Sequence, residues 1–415
     1  MKILVLNSGS SSQKACLYEI AEVLPENPPP CLWEGKIEWD GETAKAVVKT
    51  SHGVAREAQV KFSSRRQAVK HLVETLWSGK APAVADVSEI HVVGHRVVHG
   101  GQQYEKPTLI TPEVKAGIGS VSAFAPLHNR AELEGMEVIE RLLGPIPQIA
   151  VFDTGFHRNL PQPAAVYPGP YEWFERGIRR YGFHGINHQY CAARAARVLR
   201  RDLKSLKLVT CHLGNGCSLA AIREANSVDT TMGFTPLEGL MMGTRSGSID
   251  PGILTYLMRQ RRLQGQDIDD LLNQRSGLLG VSGISGDMRQ ILSAIRRGNK
   301  RAQLAFDIYV HRLRAGIGAM VATLGGMDAL VFTAGVGENS PEVRSATCSN
   351  LEFLGLKLDA TTNAQGSSDR DISTVDSRAR VLVIRAQEDW AIAAECWKLR
   401  HAETKREAGT AEVQR

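Results

Sequence analysis

The sequence predicts an α/β protein made of two domains that share one plan. Short apolar runs typical of buried strands alternate with amphipathic helical patterns along the chain. A length of 415 residues suits two or three domains. Residues 3–17 and 208–222 also follow one pattern: an apolar strand, a polar turn rich in Gly, Ser or Asn, and a second apolar strand. This similarity favours two domains of the same construction.

Six apolar runs predict buried strands, and polar residues follow them directly. The runs are residues 3–6, 90–93, 148–152, 208–211, 329–332 and 381–384. Residues 66–77 and 133–143 place apolar side chains on one face and predict helices, and residues 289–324 predict a helical hairpin. Ligands bind at strand ends in open α/β sheets, so the six ends predict one cleft between the domains. The polar residues 401–415 predict an unstructured tail.

Composition excludes several classes of protein. The net charge of +6 comes from scattered basic pairs rather than from a basic stripe, so we expect no nucleic-acid partner. The longest uncharged stretch falls short of the ~20 apolar residues that span a bilayer, so we expect no membrane insertion. The seven cysteines show no Cys-x-x-Cys spacing, which argues against a zinc site and favours a reducing compartment.

Three turns are candidates for binding a nucleotide. Residues 7–14 form a Gly- and Ser-rich turn whose backbone amides and Lys14 could hold phosphate. Residues 212–216 form the matching turn of the second domain, although Asn-Gly alone also predicts an ordinary hairpin. Residues 335–339 read as a glycine turn between a strand and a helix that starts at Ser340-Pro341, which suits a nucleoside.

Charged residues at strand ends and in glycine-rich segments complete a set for phosphoryl transfer. Arg96 and Arg245 suit carboxylate or phosphate recognition, and a structural ion pair is the alternative for each. His184 lies in a glycine-flanked turn. Asp153 and Glu388 follow apolar strands and could organise Mg²⁺, although Glu388 could instead cap a helix. Positioning and charge neutralisation by such groups provide most of the catalysis in phosphoryl transfer.

These motifs resemble the acetokinase family of acetate kinases, within the actin-like sugar-kinase and chaperone ATPase superfamily. The matching stretches run in family order along the chain. They include LVLNSGSSSQK (4–14), GHRVVHGG (94–101), APLHN (125–129), FDTGFH (152–157), RRYGFHG (179–185), HLGNG (212–216), DTTMGFTPLEGLMMGTRSG (229–247), SGISGDMR (282–289) and TAGVGENSPEVR (333–344).

The resemblance implies two actin-like (ribonuclease H-like) α/β domains with a cleft between them. The first would hold residues 1–152 and take back residues 384–415. The second would hold residues 153–383, bind the nucleotide and form a homodimer. The implied reaction is Mg²⁺- or Mn²⁺-dependent, reversible and direct in-line transfer of the ATP γ-phosphoryl group to acetate, which gives acetyl phosphate and ADP in the cytoplasm.

The resemblance also implies roles for individual residues. The catalytic residues would be Arg96, Asp153, His184 and Arg245, with Arg96 also binding the substrate carboxylate. The substrate pocket would contain Val98, Leu127, Phe183 and Pro236. The metal would be held by Asn7 and Glu388. The nucleotide-binding residues would be Ser10, Ser12, Lys14, His212, Gly214, Asn215, Gly216, Asp287, Met288, Arg289, Gly335, Val336, Gly337, Glu338 and Asn339.

Two alternatives remain open at this point. A propionate or butyrate kinase of the same family would share every motif. An actin-like, ATP-driven conformational protein would share the phosphate turns, but it has no need of Arg96, His184 and Arg245. The chain also departs from the family pattern in places, with Ser248 standing where an aspartate is usual.

Overall fold

The chain divides into two structural units, Met1–Gly155 with Gln387–Arg415, and Phe156–Ala386. The computed structural model describes residues 1–413 apart from 10–11, 41–42, 52, 54, 79–81, 123–128 and 367–368. Side chains are described for the same residues up to Thr404, with Asp40 excepted.

The strands and helices alternate along the chain. The strands are β1 (Lys2–Ser8), β2 (Ser12–Glu19), β3 (Trp33–Asp40), β4 (Thr43–Thr50), β5 (Ala55–Val60), β6 (Val92–Val97), β7 (Thr108–Leu109), β8 (Gln148–Phe152), β9 (Lys207–Leu213), β10 (Cys217–Arg223), β11 (Asn226–Thr230), β12 (Ala329–Thr333), β13 (Arg370–Asp371) and β14 (Arg380–Val383). The helices are α1 (Arg65–Glu74), α2 (Pro112–Ser120), α3 (Asn129–Leu143), α4 (Gln162–Ala165), α5 (Glu172–Glu175), α6 (Gly185–Leu199), α7 (Pro251–Arg261), α8 (Gly265–Gln274), α9 (Gly277–Ser282), α10 (Met288–Arg296), α11 (Lys300–Leu324), α12 (Ala334–Asn339), α13 (Pro341–Cys348), α14 (Ala360–Ala364) and α15 (Glu388–Val413).

The sheet of the first unit has the order β5-β4-β3-β2-β1-β6-β8-β7. Strand β1 forms an antiparallel hairpin with β2 and runs parallel to β6, which in turn runs parallel to β8. Residues 3–6 of β1 are buried because helices cover both faces of such strands, so the sequence there is a continuous apolar run. Strand β1 contacts α3 on one side and α15 on the other.

The sheet of the second unit repeats this arrangement. Its order is β11-β10-β9-β12-β14-β13. Strand β9 pairs antiparallel with β10 and parallel with β12, and β12 runs parallel to β14. Each sheet ends in a two-residue strand that pairs antiparallel with its neighbour, β7 on β8 and β13 on β14. The predicted pair of α/β domains of one plan is therefore confirmed in topology.

The structure confirms the predicted strands and helices and corrects two details. Helix α1 buries Val69, Leu72 and Val73 as its periodicity predicts, and α10 with α11 forms the predicted hairpin. The predicted glycine turn at 335–339 is instead the short helix α12, after which Ser340 caps α13 as expected. The backbone of the predicted tail is helical as far as Val413, since α15 continues through residues that favour helix.

No helix in the part of the chain that the structure describes combines the length and the apolar character required to cross a bilayer.

Gly94 gives a test of how closely α15 packs on the first sheet. A Cβ at this position of β6 would lie 2.6 Å from Cys396 Sγ and 2.8 Å from Ile392 Cγ2, both fully buried on α15. We expect Gly94→Ala to lower the free energy of unfolding by about 1–3 kcal/mol, because an overpacked core has to shift. Urea unfolding followed by circular dichroism measures the change.

Gly265→Ala is the matched control for this substitution. Gly265 opens α8, and no heavy atom lies within 4 Å of where its Cβ would stand. Alanine should therefore leave stability unchanged or raise it. Equal stability of Gly94→Ala and the wild type would contradict the close packing of α15 on β6.

Candidate functional site

A buried ion pair lies at the ends of β6 and β8 in the first unit. Arg96 is on β6, and Asp153 comes directly after β8, whose register places Val151 opposite Arg96. Arg96 Nη2 donates to Asp153 Oδ2 at 2.5 Å, and the Asp153 side chain is fully buried. Burial acts to lower the pKa of Arg96, but the charges of Asp153 and Glu388 outweigh it and hold that pKa above its ordinary value. Arg96 is therefore a permanent, fixed cation.

Carboxylates at the start of α15 lie beside the end of β1. Asn7 Nδ2 donates to Asp389 Oδ1 at 2.9 Å and to Glu388 Oε2 at 3.4 Å. Burial raises the pKa of Asp389, while the Asn7 hydrogen bond and the charge of Lys14 oppose this rise. Asn7, Lys14, Glu388 and Asp389 thus form one polar cluster.

This cluster fits a magnesium ion that arrives with a nucleotide. The side chains that the structure describes include no group of three or more His, Cys, Asp or Glu residues that could hold a metal ion. Mg²⁺ needs no such cage, because it usually binds one or two carboxylates and completes its shell with phosphate oxygens and water. The carboxylate of Glu388 and the amide of Asn7 supply oxygens of the required type.

Two arginines hold the turn between β1 and β2. The turn closes with a hydrogen bond from Gly9 N to Ser12 O at 2.8 Å. Arg65 Nη1 donates to Gly9 O at 3.0 Å, and Arg96 Nη1 donates to Ser8 O at 3.3 Å. The backbone of this predicted phosphate turn is therefore fixed from both sides. Predicted Ser10 lies outside the described residues.

Val98, predicted to line the substrate pocket, is held by a buried acid. Its amide N donates to both carboxyl oxygens of Glu132 at 3.2 Å. Glu132 lies on α3 and is 2% exposed, so burial raises its pKa to about 8 against the opposing charge of Arg96. The other predicted pocket residue of this unit, Leu127, lies outside the described residues.

His184 occupies a strained position at the start of α6 in the second unit. Its φ of +58° lies in the left-handed region, which a histidine adopts only when its surroundings require it. Its ring stacks on His212 with centroids 3.9 Å apart and planes 9° from parallel. His184 Nδ1 also lies 2.9 Å from Ser218 Oγ. These contacts fix the orientation of the ring.

The turn between β9 and β10 brings His184 and Arg245 together. A Cβ at Gly216 would lie 3.4 Å from His184 Nε2 and 3.5 Å from Arg245 Nη1, so both side chains lie against this turn. Arg245 Nη1 donates to Pro236 O at 2.8 Å. Gly214 N donates to Gly216 O at 3.0 Å and closes the turn.

Gly243 joins three of the predicted segments of the second unit. Its amide N donates to Asn215 O at 3.1 Å, and a Cβ there would lie 2.3 Å from Asn215 Oδ1 and 3.0 Å from Gly286 O. Only glycine allows this approach. The segments that contain Asn215, Arg245 and Asp287 therefore meet at one point.

The predicted nucleoside residues have structural roles as well. Asp287 caps α10 through the amide of Arg289 and also pairs with its guanidinium, while Met288 is 3% exposed. Buried Arg344 donates to the carbonyl oxygens of Gly337 and Glu338 at 2.8 Å. It thus anchors α12, the helix that carries Gly335, Val336 and Asn339.

The structure groups the predicted residues by unit. Arg96, Asp153, Asn7, Lys14 and Glu388 converge in the first unit. In the second unit a corresponding group converges around the β9–β10 turn: His184, His212, Gly214, Asn215, Gly216, Pro236 and Arg245. Phe183 is buried beside His184, and its carbonyl accepts a hydrogen bond from His157 Nε2 at 3.1 Å.

Sequence reasoning missed the residues that support these groups. They are Arg65, Glu132, His188, Ser218 and Arg344. His188 follows His184 by one helical turn, so the His-x-x-x-His spacing was the available signal. Arg344 is the last residue of the stretch 333–344, and nothing in the local pattern marks Glu132 or Ser218.

Comparison with known proteins decides the family. The model of the acetokinase family matches residues 2–394. The chain belongs to the acetokinase family. Acetate kinase of Gloeobacter violaceus is 60% identical over 402 residues, 96% of this chain and 99% of its own length. Acetate kinase of Cyanothece sp. is 59% identical over 401 residues, 96% and 98% of the two chains.

Solved structures of the acetokinase family agree with this fold. Porphyromonas gingivalis acetate kinase superposes with a TM-score of 0.86 at 40% identity over 95% of this chain and 98% of its own. A propionate kinase from Francisella tularensis also gives 0.86, at 37% identity and the same coverage. The two α/β units are thus of the actin-like type, and fold similarity alone does not separate the two substrates.

Ser248, a departure from the acetokinase pattern, has a structural role. Its hydroxyl accepts from Gly239 N at 3.0 Å, and its own amide donates to Gly239 O at 2.9 Å. The family aspartate could also accept this hydrogen bond, so the substitution leaves the loop around Arg245 in place.

Glu132 predicts how stability depends on pH. The pKa of its carboxyl group is higher in the folded chain than in the unfolded chain, so the folded state holds the extra proton. The contribution of Glu132 to stability is therefore most favourable below 4.5, the pKa of the unfolded chain, and it declines as pH rises toward about 8. Relative to Glu132→Gln, the free energy of unfolding of the wild type should fall by up to about 1.4 kcal/mol per pH unit in this range. Urea unfolding at pH 5.5, 6.5 and 7.5 measures the difference.

Glu132→Ala serves as the control for this experiment. It also lacks the titrating group but leaves the Val98 amide without its acceptor, so it should be less stable than Glu132→Gln at every pH. Parallel profiles for the wild type and Glu132→Gln would contradict the raised pKa.

Proposed function

We propose that this chain catalyses reversible transfer of the γ-phosphoryl group of ATP to acetate, which gives acetyl phosphate and ADP. Membership of the acetokinase family along residues 2–394, with curated acetate kinases near 60% identity, carries this proposal. The buried cation Arg96 supports it, because a protein that only hydrolyses ATP has no need to bind a carboxylate.

The first unit supplies the charges that the acceptor requires. Acetate carries no proton at neutral pH, so its attack needs no general base. It does need help against electrostatic repulsion, since both acetate and phosphate are anionic. Arg96 is the group that would bind the acetate carboxylate, and Asp153 holds its guanidinium in place. We infer direct transfer without a phosphoenzyme.

The second unit supplies donors for the transferring group. Arg245 would neutralise its charge, and His184 would donate a hydrogen bond to an equatorial oxygen as the geometry becomes planar. Gly216 lies beside both side chains, and with the preceding Asn215 it would hold the phosphates of the nucleotide. Residues 287–289 and 335–339 would contact the adenosine.

Asn7 and Glu388 are the residues that would hold Mg²⁺ or Mn²⁺. Such an ion, when bound with ATP, neutralises phosphate charge. The chain's own residues prepare for it, because Asn7 donates its amide hydrogens to Glu388 and Asp389 and so holds two carboxylates at the end of β1.

Acetate is preferred over propionate in this proposal. Val98 is buried in the first unit, where it would form part of a small apolar pocket for the methyl group. One additional methylene in such a pocket changes discrimination by only ~1–3 kcal/mol, so propionate should react more slowly rather than not at all.

We place the enzyme in the cytoplasm. All seven cysteines are free thiols, and all six of the buried ones lie on strands or helices. Thiols of this kind suit a reducing compartment.

Helix α7 provides the surface for a homodimer. None of its residues is buried, and its large apolar side chains Ile253, Tyr256 and Met258 are 44%, 61% and 47% exposed. A run of exposed large apolar side chains on one helix is typical of an interaction site. A second copy of the chain is the partner that we propose.

A hydroxylamine trap tests the function. With ATP, Mg²⁺ and acetate, the wild type should form acetyl phosphate and hence hydroxamate, with a lower kcat/KM for propionate. Arg96→Gln and Arg245→Gln should each lower kcat at least ~100-fold, because each removes a charge that stabilises the transition state. Arg66→Gln, which changes a surface arginine with a side chain 41% exposed, is the control.

Two outcomes would overturn parts of this proposal. ATP hydrolysis without hydroxamate would indicate a conformational ATPase. A higher kcat/KM for propionate than for acetate would make the chain a propionate kinase.

Light scattering tests the dimer. The wild type should have twice the chain mass of 45.3 kDa. Tyr256→Asp should shift the population toward monomer, since a charge at an apolar interface has to be desolvated. Phe353→Asp, which changes an apolar side chain 75% exposed outside α7, should remain dimeric. A monomeric wild type, or a fully dimeric Tyr256→Asp, would be incompatible with this interface.

A further inference from the structure

We propose that Thr210, His188 and Ser218 form a hydrogen-bond relay that fixes the tautomer of His184, so that its Nε2 carries the proton. These three residues would be positioning residues for the reaction. Their importance for catalysis rests on the proposed role of His184, whereas the tautomer itself is a property of the chain that can be measured separately.

The relay is a continuous series of short contacts. Thr210 Oγ1 lies 2.7 Å from His188 Nδ1, and His188 Nε2 lies 2.7 Å from Ser218 Oγ. Ser218 Oγ lies 2.9 Å from His184 Nδ1. Thr210, His188 and Ser218 are each fully buried. Water therefore does not compete for these hydrogen bonds.

The secondary structure sets this series in place. His184 and His188 lie one turn apart at the start of α6, and Thr210 is on β9. Ser218 is on β10 directly opposite His212, the residue that stacks on His184. Each member is thus held by backbone that the sheet or the helix fixes.

Burial determines the charge of the central histidine. Desolvation, with the neighbouring His157 and His212, holds the pKa of His188 well below its ordinary value. A neutral imidazole has one N–H and one acceptor nitrogen, so His188 donates a hydrogen bond on one side of its ring and accepts one on the other. The hydrogen bonds of the series can therefore all be donated from Thr210 toward His184, or all in the reverse direction.

The hydroxyl of Thr210 selects between them. Its hydrogen bond to His188 is the only one that the described residues give this side chain. If Thr210 donates, then His188 Nε2–H donates to Ser218, and Ser218 donates to His184 Nδ1. In the reverse direction the buried Thr210 O–H would have no acceptor, which costs about 1–3 kcal/mol. The forward direction is therefore preferred.

The consequence lies at the far side of the His184 ring. When Nδ1 accepts from Ser218, the neutral ring carries its hydrogen on Nε2. Nε2 is the atom that faces Gly216 and the Arg245 guanidinium. A neutral donor is thereby directed at the place where the phosphoryl group would lie. The other tautomer would present a lone pair to an anion.

Long-range ¹⁵N–¹H NMR of histidine-labelled protein tests the tautomer directly. In the wild type, His184 should show a protonated Nε2 and an unprotonated Nδ1. Ser218→Ala should lose this preference, because Nδ1 then loses its hydrogen bond from Ser218. Thr210→Val should weaken the preference by leaving the direction of the relay undefined, and Thr210→Ser should restore it.

Ser227→Ala is the matched control. Ser227 is an equally buried serine that contacts a histidine, His157 Nδ1, at 2.7 Å. The tautomer of His157 is already fixed by donation from Nε2 to the Phe183 carbonyl. This variant should therefore leave His184 and the kinetics unchanged.

Kinetics then test the positioning role. Ser218→Ala and Thr210→Val should lower kcat for acetyl phosphate formation about 10- to 100-fold, as changes to supporting partners of active-site histidines do. KM for ATP and acetate should stay near wild type. Adding Ser218→Ala to His184→Ala should cause no further loss, since the relay acts only through that ring.

The outcomes separate the relay from the proposed function. A protonated Nδ1 in wild-type His184, or an unchanged tautomer in Ser218→Ala, would overturn the relay even in an active kinase. Conversely, a wild type that makes no acetyl phosphate would refute the function, and the NMR result would still decide the relay.

Discussion

The ion pair between Arg96 and Asp153 is the interaction on which the polar cluster of the first unit depends. A guanidinium on an inner strand of a sheet is stable only beside a counter-charge, because an unpaired buried charge costs several kcal/mol. The parallel register of β6 and β8 provides that partner at the strand ends. The charge of Arg96 also acts on Glu388, and that of Lys14 acts on Asp389. The cluster of the first unit thus combines two cations with three carboxylates at the ends of its strands.

The second unit keeps the buried rings of His157 and His188 neutral. Burial holds the pKa of His157 at about 4 and that of His188 well below its ordinary value, so both rings remain neutral. Each must then satisfy one donor and one acceptor: His188 contacts the hydroxyls of Thr210 and Ser218, and His157 contacts the Ser227 hydroxyl and the Phe183 carbonyl. A network of neutral groups fixes which atom donates in each hydrogen bond, and it introduces no charge into the core. That property suits a site in which the orientation of His184 matters.

The sequence was sufficient to predict six buried strands, the repeated plan and the residues at the ends of those strands, but not β3, β4 and β5. Strands buried on both faces appear as apolar runs, so Asn7, Asp153 and His212 could be placed at their ends. Glu132 and Ser218 could not, because their partners lie far away in sequence and no local periodicity marks them. The segment 335–339 was expected to be a turn since glycine disfavours helix. Packing on β9 and the anchoring of two carbonyl groups by Arg344 override that preference.

The shared topology also explains why one plan carries two kinds of chemistry. The registers make Asn7 and His212 equivalent, and their hairpin partners Lys14 and Ser218 likewise. On the next strand Arg96 corresponds to Thr333. The first unit thus places charged groups where the second places neutral hydrogen-bonding groups. Charges can hold anionic substrates and a metal ion, whereas neutral donors can stabilise a transient oxygen geometry without binding the ground state too strongly. Divergence at these matched positions therefore gives the two units different chemistry at the ends of equivalent strands.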